Sequence, residues 1–95
     1  MIVTLEEARN WLRVDSEEDD ILIHSLIKAA ESYLKNATGI EYDNTNELAK
    51  LFCLVLIVDW YDDREMVGEA SEKVRHTINS ILMQLTYGSD SDESG

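Results

Sequence analysis

The strongest constraint in the sequence is an unbroken apolar run, Leu51-Phe-Cys-Leu-Val-Leu-Ile-Val58, followed at once by Asp59-Trp-Tyr-Asp-Asp-Arg-Glu65. Such a run suits either a buried strand or the middle of a buried helix, and periodicity alone does not separate them. The flanks do. Asn46-Glu-Leu-Ala-Lys50 before it and Trp60-Tyr-Asp-Asp-Arg64 after it contain neither Gly nor Pro, so nothing marks a strand end. The stretch therefore reads as one helix over about 44–64, polar at both ends and apolar on every side at its centre. A helix of that kind is one that its neighbours surround. A bilayer span needs roughly 20 apolar residues, far more than this run offers, so a membrane helix is excluded.

The rest of the chain supplies the neighbours. Thr4 and Glu7 have the spacing of a capping box, opening a short helix over about 4–13 whose apolar face is Leu5, Ala8, Trp11 and Leu12. Asp15 or Ser16 then caps a longer helix to about Thr38, with Gly39 as its stop. On it Leu22, Leu26, Ala30, Tyr33 and Ala37 form one row, and Ile23, Ile27, Ala30 and Leu34 the adjacent one. Asn44 or Thr45 caps the central helix. Ser71 or a neighbour opens the last, over about 71–87, with a stripe of Val74, Ile78, Ile81, Leu82 and Leu85. With no proline, and with Gly39, Gly68 and Gly88 where helices would end, the expectation is all-α. It is a small single-domain bundle of about four helices over 1–88. A disordered acidic tail at 89–95 follows, with no apolar residue to set against the entropy of ordering.

Chemistry is conspicuous only by its sparseness. The net charge of −12 repels phosphates, which argues against a sequence-reading nucleic-acid binder. Cys53, alone and inside the apolar run, reads as a small core residue in a reducing compartment. The start of the sequence lacks the basic and apolar regions of a signal peptide, so the chain is expected to stay inside the cell. A calcium loop beginning at Asp15 would need Gly at position 20 and Glu at position 26; Asp20 and Leu26 stand there instead. His24 is isolated and reads as surface. The acids of 59–65 could resemble a catalytic pair but read better as a solvated helix end, with Arg64 bonding terminal carbonyls or pairing with an acid. No phosphate loop, nucleophile elbow, HExxH or paired CxxC occurs. No catalytic residue, cofactor or metal is therefore assigned.

Taken together, Met1-Ile-Val-Thr-Leu-Glu-Glu-Ala8, Trp11-Leu-Arg-Val-Asp15 and Glu18-Asp-Asp-Ile-Leu-Ile-His-Ser-Leu-Ile-Lys-Ala-Ala30 resemble the opening of the tailed-phage head–tail connector family, encoded by phages and prophages. The likeness continues through Tyr33, Thr38-Gly39 and an apolar helix ending Trp60-Tyr61-Asp62-Asp63-Arg64-Glu65, with Asp63 where the family pattern has Asn. The resemblance implies a structural virion adaptor, not an enzyme, located at the virion neck and assembled in the bacterial host cytoplasm. It implies a ring of about a dozen subunits on the portal after DNA packaging, extending the DNA channel and offering a surface to the stopper or tail. The implied partners are other copies of the chain, the portal protein, the stopper or tail protein, and DNA that crosses the lumen without specific binding; no membrane is involved. Trp11, Trp60, Tyr61 and Arg64 are the candidate oligomer or portal interface, since aromatic residues anchor interfaces. For both tryptophans, filling the monomer core is the competing reading. The alternative function is an acidic DNA-mimicking inhibitor of a host nucleic-acid enzyme, although the acids cluster at helix starts and in the tail instead of along one face.

Overall fold

A computed structural model describes residues 1–87 in full and the backbone of 88–94 as the end of the last helix; the side chains of the acidic tail expected at 89–95, and residue 95 altogether, lie outside the described residues. The elements run α1 (Leu5–Leu12), α2 (Asp20–Thr38), α3 (Glu47–Asp62), a single 3-10 turn (Arg64–Met66) and α4 (Glu72–Ser94). Among the described residues there is no strand, and no helix is long and apolar enough to cross a membrane. The all-α expectation holds.

α3 is the centre. Ala49, Phe52, Cys53, Leu54, Leu56, Ile57 and Trp60 are all buried on it, so apolar side chains leave the helix in several directions to meet α1, α2 and α4. The surround is incomplete, however. Leu51 is 37% exposed, and Val55 and Val58 are only partly buried, leaving one apolar stripe half open in the single chain. α2 packs Ile23, Leu26, Ile27, Ala30 and Leu34 inward; of the two rows read from sequence, the one through Ile23 and Leu34 faces the core throughout. The α4 stripe buries Ile78, Ile81 and Leu85 as expected. Tyr33 links the aromatic centre, its ring 5.9 Å from Phe52 and 6.2 Å from Trp60. Burial pushes the Cys53 thiol up to about 12, so it stays protonated and packs as a hydrophobe.

Two helix starts differ from the sequence reading, and both for tertiary reasons. α2 begins at Asp20, four residues beyond Ser16, because 14–19 form a loop whose groups bond elsewhere. Arg9 Nη2 donates to the Asp15 carbonyl at 2.8 Å, and Asp19 accepts from Tyr61. α3 is capped by Asn46, whose side chain accepts from Ala49 N–H at 2.9 Å, not by Asn44 or Thr45. Asn44 is occupied with Ile2 O and Glu7 Oε1 at 2.9 and 3.0 Å, and Thr45 turns back onto Asp43. The capping box at α1 is present with both bonds, Glu7 N–H to Thr4 Oγ1 at 3.1 Å and Thr4 N–H to Glu7 Oε1 at 2.9 Å.

The sequence reading also missed an element. Ile2 and Val3 are buried as an N-terminal strap, held where Glu31 accepts the N–H of Ile2 at 2.6 Å and of Val3 at 3.4 Å. Two apolar residues are too few to leave a periodic signal.

Candidate interface surfaces

Antiparallel packing of α2 and α3 brings the α2 start and the α3 end to the same pole of the molecule. The Tyr61 hydroxyl, donating to Asp19 Oδ2 at 2.5 Å, joins the two. That bond, with the Asp19 charge, holds the Tyr61 phenol above its ordinary range, so it remains a donor. α1 ends at the same pole. Its last turn closes through Arg13 N–H to Asn10 O and Val14 N–H to Arg9 O, at 3.2 and 3.0 Å. This pair of bonds needs a left-handed residue, and here that residue is Arg13, with φ 61°. Arg9 then reaches across to α2, its Nε 3.6 Å from Asp20 Oδ1.

The far side of the pole is the turn between α3 and α4. Asp59, read from sequence as part of a solvated helix end, is 4% exposed. The correction has a clear cause: its carboxylate accepts from Ser71 Oγ at 2.8 Å and Ser71 N–H at 3.3 Å, at the opening of α4. A carboxylate seated at a helix N-terminus is favoured both by the free amides and by the helix dipole. Beside it the Trp60 indole N–H donates to Glu69 O at 2.7 Å. Gly68, with φ 96°, makes the turn that a side chain would resist. The remaining acids, Asp62, Asp63 and Glu65, do stand in solvent, as do Glu17 and Glu18 across the pole.

The four residues singled out from sequence thus part company. Trp60 is fully buried and presents no surface in this fold; it is a core residue that positions the turn after it. Tyr61 is half-buried and occupied with Asp19. Arg64 is exposed at the start of the 3-10 turn, and among the described residues its side chain makes neither of the bonds expected of it. Trp11 is 49% exposed. Two further exposed apolar residues were passed over by sequence reasoning, Ile21 at 86% and Val67 at 42%. Ile21 opens the helical apolar pattern of α2 but belongs to neither of its two rows, and it stands outside the core.

At the opposite pole Glu7 holds three elements together. It accepts from Thr4 N–H, from Asn44 Nδ2 at 3.0 Å and from Lys50 Nζ at 2.7 Å, which lowers its carboxyl to about 2, the Lys50 bond contributing most. Along α2 runs a groove of about 410 Å³ bordered by Met1, Lys28, Glu31, Lys35, Ile40 and Tyr42. Among the described residues no group of three or more His, Cys, Asp or Glu side chains is placed to hold a metal ion.

The surfaces available to partners are therefore an acidic pole studded with exposed apolar side chains, a half-open stripe on α3, and a groove carrying lysines. A family model, Phage gp6-like head-tail connector protein, matches residues 2–88. No curated protein and no solved structure matches the chain.

Proposed function

The chain belongs to the phage gp6-like head–tail connector family, and on that premise we propose that it is an adaptor that assembles as a ring on the portal after DNA packaging. The ring would extend the DNA channel and present the surface that a stopper or tail protein engages. A head–tail connector is a structural component of the virion neck, joining portal and tail parts. The match over 2–88, nearly the whole described chain, carries this reading.

The geometry supports it. Trp11, Ile21, Leu51, Val67 and Met83 are all exposed in the single chain, and association would remove that apolar surface from water. Trp11, Tyr61 and Arg64 come near one pole and remain the candidate contact residues; Trp60 supports them from below. Carboxylates in excess suit a lumen that DNA must cross without adhering.

The test is the native mass of the full chain, alone and with the portal from the same genome. A discrete species of roughly a dozen copies, free or on the portal, is the expected result. A small species that never joins the portal but inhibits a host nuclease would transfer the chain to the acidic-inhibitor reading.

A further inference from the structure

We propose that the outward face of α4 in one copy seats, antiparallel, on the half-open stripe of α3 in the next. The inference rests on the ring reading and adds the two faces that meet.

Spacing is the first observation. The open stripe of α3 is Leu51, Val55 and Val58, with Asp62 one turn on, at intervals of four, three and four. On α4 the side chains turned away from its buried stripe include His76, Ser80, Met83 and Tyr87, at the same intervals. All four are exposed, Met83 by 61% and Tyr87 by 63%. Alternating threes and fours keep two helices in contact along a seam. Laid antiparallel, the two faces match step for step: Leu51 meets Tyr87, Val55 meets Met83, Val58 meets Ser80 and Asp62 meets His76.

Charge is the second observation. The chain carries 20 acids, yet none falls from Lys73 to Ser89, the longest such stretch, and no charged residue of either sign falls from Leu51 to Val58. Copies of net charge −12 repel one another, so they close best where carboxylates do not face carboxylates. Interface centres are depleted of charge and enriched in Met and aromatic residues, and the α4 face has that character. The ends add complementarity. From Leu51 to Asp63 there are acids but no base, with Asp62 and Asp63 exposed at the far end. On α4, Lys73 and Arg75 stand against the single Glu72, exposed and in no ion pair among the described residues. The antiparallel register brings Lys73 within a turn of Asp62.

The fold supplies the direction. Within one chain α3 and α4 already run antiparallel: Asp59 bonds Ser71 at one end, and residues 46–48 border the same cleft as residues 84–86 at the other. Rotation about a ring axis parallel to these helices preserves their direction, so α4 meets α3 of the next copy antiparallel as well. The two faces are different patches, which makes the contact heterologous, the kind that closes into rings.

The experiment cross-links full-length copies through two single variants, Val55→Cys and Met83→Cys, alone and on the portal. Cys53 is fully buried and takes no part. Urea midpoints check that each variant folds. Under mild oxidation the equal mixture should give disulfide-linked pairs where either variant alone gives none, because the bond needs Cβ atoms about 3.5–4.5 Å apart. Separately, Met83→Glu should assemble at least about tenfold more weakly at an unchanged urea midpoint, since a carboxylate then meets an apolar stripe. Pairs formed as readily by one variant alone would make the contact like-to-like. Rings without pairs in the mixture, or normal rings from Met83→Glu, would place the interface elsewhere. Each of these overturns the proposed contact while leaving the ring standing. Normal Met83→Glu rings that no longer join the portal would, in addition, assign the α4 face to the portal. A wild-type chain that forms no ring even on the portal would remove the ring reading and this inference together.

Discussion

Arg13 occupies a conformation that side chains resist. Its φ of 61° closes α1, and a Cβ there crowds the following carbonyl. Arg13→Gly should therefore stabilise the fold by about 0.5–1 kcal/mol, seen as a higher urea midpoint at unchanged slope. Glu7 gives a pH signature with a definite sign. Its carboxyl falls from an ordinary 4.5 to about 2, chiefly through the Lys50 bond. A depressed carboxyl stabilises the folded state above the unfolded value and loses that contribution as pH falls through the folded one. Wild type should exceed Glu7→Gln in stability at neutral pH by about 1 kcal/mol, a modest figure because solvent screens a partly exposed pair. The difference should vanish between pH 4.5 and 2. A gap that persists at pH 2 would mean Glu7 acts through packing.

At the scale of elements, the junction of α3 and α4 is fixed by one buried carboxylate. Asp59 holds Ser71, twelve residues later and immediately before α4, a bond between elements and not within one. Asp59→Ala should cost about 1–3 kcal/mol, since the Ser71 groups lose a buried acceptor. Hydrogen exchange should speed first in the opening turn of α4, around Val74 and Arg75, whose amides bond Ser71 O. Uniform exchange across all helices would place Asp59 in global stability instead of in capping. The same logic separates the tryptophans. Trp60→Ala empties the centre of the core and should cost about 3–5 kcal/mol.

For the whole molecule, Trp11 carries the complementary prediction. About half of its surface is open, so Trp11→Ala should change stability little yet weaken ring or portal assembly by about 1–3 kcal/mol, read by native mass or co-sedimentation. Full assembly by that variant would place the contact surface elsewhere, with the half-open stripe of Leu51, Val55 and Val58 next to test. A fold this small buries only part of the apolar surface its chain carries. Part of what it leaves open, Trp11, Ile21 and Leu51 among it, is surface that neighbouring subunits would cover.

Helix number and type, the capping box at Thr4 and Glu7, the inward stripes of α2 and α4 and the centrality of α3 were all legible in the chain. Each rests on residues within a few positions of one another, and local spacing determines such features. The fate of Asp59, Asn44, Ile21 and Trp60 was not. Asp59 and Asn44 find partners twelve or more residues away, so the same residue types that suggest a solvated end or a cap are spent on other elements. Ile21 and Trp60 look alike in sequence, each an apolar residue at a helix edge, and finish at 86% and 0% exposure. Only the docking of α2 and α4 on α3 decides which of the two meets water, because burial depends on what stands opposite a side chain.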